Sequence, residues 1–371
     1  MSKTASLLLL LPNLIIIYLL FYNMQFFTGK KQFYGVSIKK DYIDIKEFKN
    51  LDKRFKSLNT LGFIIIILSS LILIYKFEKV AFASSFPILM YITYNFFIYV
   101  NTHNKVKLLK HKLLSTETKV DFEISTKSVV DVTFLNERNT ILKKFKFIYL
   151  IPNFILFIFC LFAMTKYNNI SNSIPIHWSL FGIADNFIEK SISNVSLIIG
   201  SLFLINIVIS VLGFNSIKSR IKIDTENITE SRLESLKYLN KIGFTFLVLL
   251  ISIFIMSVNI IASIIFNLNL NTIVSILSTL LMFISSIYLI IIFIKSPNLK
   301  STSSFSPDDD EKYWIWGSIY NNPNDPSFMV QKKFGIGWTI NLATSLGKVF
   351  FIITGALLIW AVFITFQTLF I

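Results

Sequence analysis

The stretch NSIPIHWSLFGIADNFIEKS, residues 172–191, gathers the side chains best suited to chemistry in this chain. His177 is the type most apt to ligate a metal or exchange protons near neutral pH, and Asp185 and Glu189 follow within twelve residues. A metal centre takes three or four ligands, a number that one His and two carboxylates barely reach. As a base oriented by a carboxylate, His177 with Asp185 has the parts for proton transfer, but no nucleophile accompanies them. A third reading is a folded turn in which His177 and Asp185 hydrogen-bond each other or the backbone. In it, Pro175 and Gly182 set the chain path, Trp178 and Phe181 anchor at a membrane interface, and Lys190 reaches towards lipid phosphates.

A second cluster follows the Ser-rich run KSTSSFSP. It reads DDDEKYWIWGSIYNNPNDPSFMVQKKFGIGWTINLATSLGK, residues 308–348. Its Asn-Asn-Pro-Asn-Asp-Pro run is turn chemistry, and Trp314, Trp316, Tyr320 and Trp338 suit a layer in the headgroup region. FGIGWT lacks the spacing and the Lys-Ser/Thr of a phosphate loop. The acidic DDDE reads as a solvated lead-in. Cys160 stands alone in an apolar run, so it forms no disulfide within the chain and reads as a packing thiol. No cofactor is expected.

The elements that must carry these residues are apolar. Stretches near 6–27, 58–75, 80–100, 147–164, 195–214, 242–266, 273–294 and 348–371 mostly have the roughly 20 residues that span hydrocarbon. Lys plus Arg between successive stretches count 9, 2, 10, 2, 6, 0 and 5. The odd loops, with Lys348, hold 31 of the 36 basic residues. Basic residues collect in cytoplasmic loops, so the chain reads as an all-α polytopic integral membrane protein, about eight transmembrane helices, both termini outside. The run from Ser6 has no small-residue cleavage site after it and reads as a retained first span.

Charge then divides by side. The inner loops hold 31 basic against 18 acidic residues and the outer ones 5 against 3. The net charge of +15 therefore reflects orientation and anionic lipid heads, with no nucleic acid among the partners. Within the stretches no Asp, Glu, Lys, Arg or His lies away from the ends, which argues against proton-coupled pumping and intramembrane proteolysis. Asn95, Asn153, Asn206, Asn259 and Gln367 read as hydrogen bonds between helices. Short connections pair spans two with three and six with seven. The first inner loop starts with an extended FYGVSI and continues as a basic amphipathic helix of the lipid-surface kind. In the second, KVDFEIS and SVVDVTF alternate as a small hairpin would.

The spacing of Pro175, His177, Gly182, Asp185 and Lys190 resembles the outer-loop signature of the SdpI-like bacterial membrane proteins. Ser179 departs, since Asn is common there. FYGVSI is similar to that group's usual start. Residues 308–348 look like a small uncharacterised module found at the end of some members, with matches at Asp310, Tyr313, Trp314, Gly317, Tyr320, Asn322, Pro323, Asp325, Pro326, Gly335, Gly337, Trp338, Thr339 and Asn341. The resemblance implies a non-enzymatic protein of the bacterial cell membrane that gives immunity to, or senses, a membrane-active peptide or antibiotic. Its partners would be the lipid bilayer, an extracellular peptide toxin and a cytosolic regulator. A transporter or permease subunit, and a membrane enzyme acting on lipid or cell-wall precursors, are the alternatives. The expected division is three helices with two basic loops (1–146), an SdpI-like unit (147–214), a loop and helical hairpin (215–294), the cytosolic module (295–347) and a last helix (348–371).

Overall fold

The computed structural model describes residues 3–28, 32–38, 40–76, 80–116, 131–178, 182–219, 221, 223, 227–296, 311–332 and 337–370. Among them are eight α-helices: α1 Lys3–Tyr22, α2 Lys46–Tyr75, α3 Val80–Thr116, α4 Val132–Thr165, α5 Ile192–Lys218, α6 Ile228–Phe266, α7 Thr272–Ile294 and α8 Ser345–Phe370. Each apolar stretch has its main part in one of them, although α1 ends at Tyr22 and a short 3-10 helix, Met24–Phe27, takes up the end of the first stretch. Five (α2, α4, α5, α6 and α7) are long and apolar enough to cross a membrane, and they make the chain a mostly helical, multi-spanning membrane protein. Large apolar side chains such as Phe154 and Phe283 stand exposed on them, as lipid contact requires.

The all-α expectation left out small sheets. Among the described residues four two-stranded antiparallel hairpins lie between the helices: β1 Gln32–Phe33 with β2 Val36–Ser37, β3 Ser173–Trp178 with β4 Ala184–Glu189, β5 Trp314–Ile315 with β6 Ile319–Tyr320, and β7 Met329–Gln331 with β8 Trp338–Ile340. The segment expected to form a hairpin in the second basic loop falls mostly outside the described residues. Its end, from Val132, is the first turn of α4, started by the Asp131 side chain accepting from the Phe134 amide at 3.0 Å.

The chain divides into two compact units, 1–128 with 302–371 and 129–301. The first joins the C-terminal module and α8 to the opening three helices, a grouping that the linear division of the sequence did not anticipate. Its apolar centre holds Leu10, Leu14, Ile74 and Tyr91. There the Tyr91 hydroxyl donates to Asn59 Oδ1, and Gly62 leaves room for the Tyr94 ring, which a Cβ would meet at 2.2 Å. The amphipathic segment does not lie on its own. With no proline to break it, it forms the first turns of α2, and its buried Phe48 and Phe55 pack on the β1–β2 hairpin.

In the second unit α6 packs against α4, α5 and α7. Side-chain amides join the helices: buried Asn153 Nδ2 donates to Ser210 Oγ at 2.6 Å, buried Asn206 Nδ2 to Ser257 Oγ at 3.1 Å and half-buried Asn259 Nδ2 to Ser275 Oγ at 3.0 Å. Asn95 instead donates to Tyr91 O in its own helix, and the Gln367 side chain lies outside the described residues. Gly243 lets Phe145 approach to where a Cβ would meet the ring at 2.3 Å, and the Tyr149 hydroxyl donates to its carbonyl at 2.8 Å.

Candidate functional site

The His177 segment folds as the β3–β4 hairpin, paired from Ser173–Glu189 through Ile174–Ile188 and Pro175–Phe187 to Trp178–Ala184. Register shifts on either side of His177 mark a bulge, the device that re-aims a side chain on a strand. The bulge sets His177 Nδ1 2.5 Å from Asp185 Oδ1. The pair faces solvent, at 67% and 48% side-chain exposure, so both partners are accessible to a ligand. Among the described residues no group of three metal-ligating side chains converges.

The hairpin is fastened at its tip and at its base. At the tip Gly182 has φ +74°, a conformation that a side chain strains, and its carbonyl accepts from the Leu270 amide at 3.0 Å. A Cβ there would meet Leu270 O at 2.3 Å, so the turn lies directly on the α6–α7 connection. At the base Asn267, left-handed at φ 53°, ends α6 and bonds Asn169 O at 2.8 Å and the Ser171 amide at 3.0 Å. Ser191 caps α5 through the Asn194 amide.

Lys190 is bonded within its own loop. Its ammonium donates to Ile170 O at 2.7 Å and lies 4.7 Å from the Tyr167 ring centre, because carbonyls left open by the short helix Tyr167–Asn169 are its nearest acceptors. Trp178 is half-buried and its indole nitrogen has no hydrogen-bond partner in the described residues. Ser179, Leu180 and Phe181 lie outside those residues. Ile176, Ile183 and Phe187, within two residues of the His–Asp pair along the chain, are exposed as well. Thus Pro175, His177, Gly182, Asp185 and Lys190 come together in one element. Asn267 and Leu270, which hold it, were missed; the Asn-rich NLNLNT connection was their only sequence signal.

The C-terminal module is organised by one amide. Buried Asn341 donates through Nδ2 to Asn322 O at 2.9 Å and Asp325 O at 2.7 Å. Its Oδ1 accepts from the amides of Asn322 at 3.0 Å and Ala343 at 3.2 Å. The Tyr320 hydroxyl accepts from Asn322 Nδ2 at 2.9 Å and donates to Asp325 Oδ2 at 3.2 Å. Asn322 and Asp325 also close turns on the amides of Asn324 and Ser327, and Thr344 caps α8 through the Gly347 amide. Trp314 and Tyr320 are therefore the module's own core, with Val330, while Trp316 is exposed. Tyr313 packs beside them. Pro323 and Pro326 flank the Asn-Asp turn, while Gly337 (φ +91°) and Trp338 sit at the start of β8. Asp310 and Gly335 lie outside the described residues.

The module docks on the opening of the chain through two turns with positive φ, Tyr34-Gly35 and Trp316-Gly317. Their backbones touch, so that a Cβ on Gly317 would meet Gly35 O at 2.6 Å. Tyr99 on α3 donates to Trp316 O at 2.8 Å, and Glu311 accepts from the Ser37 amide and from Lys110, both at 2.9 Å. Beneath them His103 Nδ1 lies 2.8 Å from Tyr34 O, and the Tyr34 hydroxyl donates to Asp52 at 3.0 Å. Burial and the Asp52 carboxylate push that phenol well above its usual range. FYGVSI and the module segment that carries Trp316 and Gly317 were both singled out in the sequence. Their meeting was not, and Tyr99, His103 and Lys110 were passed over.

Residues 323–348 match the model of a family of unknown function, DUF5808. The match begins at the Pro323 turn and ends in the first turn of α8, so it covers Asn341 and the Asp325 carbonyl that it holds. No curated protein and no solved structure matches the chain.

Proposed function

We propose that this is a bacterial cell-membrane protein of SdpI-like type that protects against, or senses, a membrane-active peptide or antibiotic, with the β3–β4 hairpin as its outer recognition surface. The reading takes eight spans with both termini outside from the division of basic charge. The observation that carries it is the fastening of the hairpin at both ends while the His177–Asp185 pair and the apolar side chains beside it stay open. A rigid patch with one polar pair among apolar groups suits an amphipathic peptide, since little entropy is lost on binding. The C-terminal module would face a cytosolic regulator.

The 2.5 Å His–Asp contact also suits the enzyme reading, in which Asp185 orients His177 as a base. One experiment separates the two. The chain is expressed in a sensitive host, which is then challenged with a panel of membrane-active peptides while the medium is followed by mass spectrometry. Raised tolerance with intact peptide, lost in His177→Ala at unchanged membrane level, is the expected result. Recovery of altered peptide would favour the enzyme. Undiminished protection by His177→Ala would remove the hairpin from the mechanism.

A further inference from the structure

Helices α6 and α7 leave a groove of about 340 Å³ near the basic end of α6, within the size range of small-ligand sites. Phe244 and Val248 of α6 and Ile284 and Tyr288 of α7 line it, and Lys241 stands at its mouth. Lys241 is the last charged residue before the apolar run of α6 and is exposed. A second ammonium, that of Lys144 on α4, lies 4.6 Å from the centre of the Phe244 ring. Among the described residues neither lysine pairs with a carboxylate, and the Tyr288 hydroxyl makes no hydrogen bond. Among the described residues, then, two lysines without a carboxylate partner stand by this apolar slot, Lys241 in its lining and Lys144 against the Phe244 ring that lines it.

That combination selects an amphiphile with a negative head. A soluble anion would meet the cations and leave the slot without an apolar partner. A neutral lipid would fill the slot and leave two ammonium groups uncompensated. We propose that the groove binds one anionic phospholipid, its phosphate between Lys144 and Lys241 and one acyl chain along Phe244, Val248 and Ile284. Basic pockets between membrane helices hold anionic heads in this way. The inference uses unit 129–301 alone and stands apart from the reading of the β3–β4 hairpin.

Native mass spectrometry of the purified full chain tests it. The protein in mild detergent is titrated with phosphatidylglycerol, phosphatidylcholine and glycerol phosphate. One tightly held phosphatidylglycerol is expected, preferred over phosphatidylcholine by at least about tenfold, and glycerol phosphate should not displace it. Lys144→Gln with Lys241→Gln should erase the preference, whereas Lys237→Gln, which lowers the charge of the same helix one turn before Lys241 and outside the groove's lining, should keep it. Val248→Trp, at a position already exposed, should fill the slot and lose the bound lipid while helicity is unchanged. Equal loss in Lys237→Gln, a preference that survives the double variant, or displacement by glycerol phosphate would overturn the proposal.

Discussion

Asn341 shows how much one side chain can organise. Its amide uses both hydrogens and both lone pairs on backbone groups brought from three parts of the module. A buried polar group that loses its partner costs about 1–3 kcal/mol, and Asn341→Ala strands four of them at once. We expect it to destabilise the module by at least about 3 kcal/mol, read as cleavage within 311–344 by limited proteolysis of the membrane-inserted protein while the 129–301 unit stays intact. Cleavage at the parent's rate would mean that the turn chemistry holds without it. By contrast Lys190, read as a lipid contact from its charge alone, is held by Ile170 O and the Tyr167 ring. Its real partners are loop carbonyls that no residue pattern advertises.

At the scale of elements, two short hairpins connect the module to α3, and a titratable group lies under the first. Burial lowers the pKa of His103, which is 7% exposed and beyond the apolar stretch of α3. Lys107 lowers it further, while the Tyr34 carbonyl and Glu311 act in the opposite sense. The imidazole is therefore neutral near pH 7 and bonds the Tyr34 carbonyl through Nδ1. A pKa below the unfolded value of about 6.5 makes the unfolded chain bind its proton first. Stability is then fully present above about pH 6.5 and falls as the pH drops through that value towards the folded pKa. The thermal unfolding midpoint of the first unit should fall as the pH is lowered from about 7.5 to about 5.5, and His103→Asn, which offers an untitratable N–H near the place of Nδ1, should flatten that slope. An unchanged slope in the variant would assign the pH dependence elsewhere.

For the molecule as a whole, the decisive quantity is which side each loop occupies. Single cysteines at Ser173 and Lys312, in a Cys160→Ser background, should react oppositely with an impermeant maleimide in intact cells. The expectation follows from the 31 basic residues placed on one set of loops and the 5 on the other. Both positions are exposed, so failure to label reports the membrane and not the fold. Labelling of Lys312→Cys from outside would reverse the arrangement, and the module would then face no cytosolic partner.

The helices were legible in the residues because a run of about 20 apolar side chains must satisfy its backbone internally once it leaves water, and each such run is helical over most of its length among the described residues. The His177 hairpin was legible as a folded turn for a similar local reason: Pro, Gly and polar side chains within twenty residues restrict the path between them. Tertiary structure alone decided what these pieces touch. That Gly182 rests on the Leu270 carbonyl, that the aromatic-glycine turns at 35 and 317 meet, and that Lys110 on α3 pairs with Glu311 are contacts between distant segments. Each depends on chain paths that no spacing encodes. The same holds for the groove beside Phe244, since a cavity is a property of two helices and appears in neither sequence by itself.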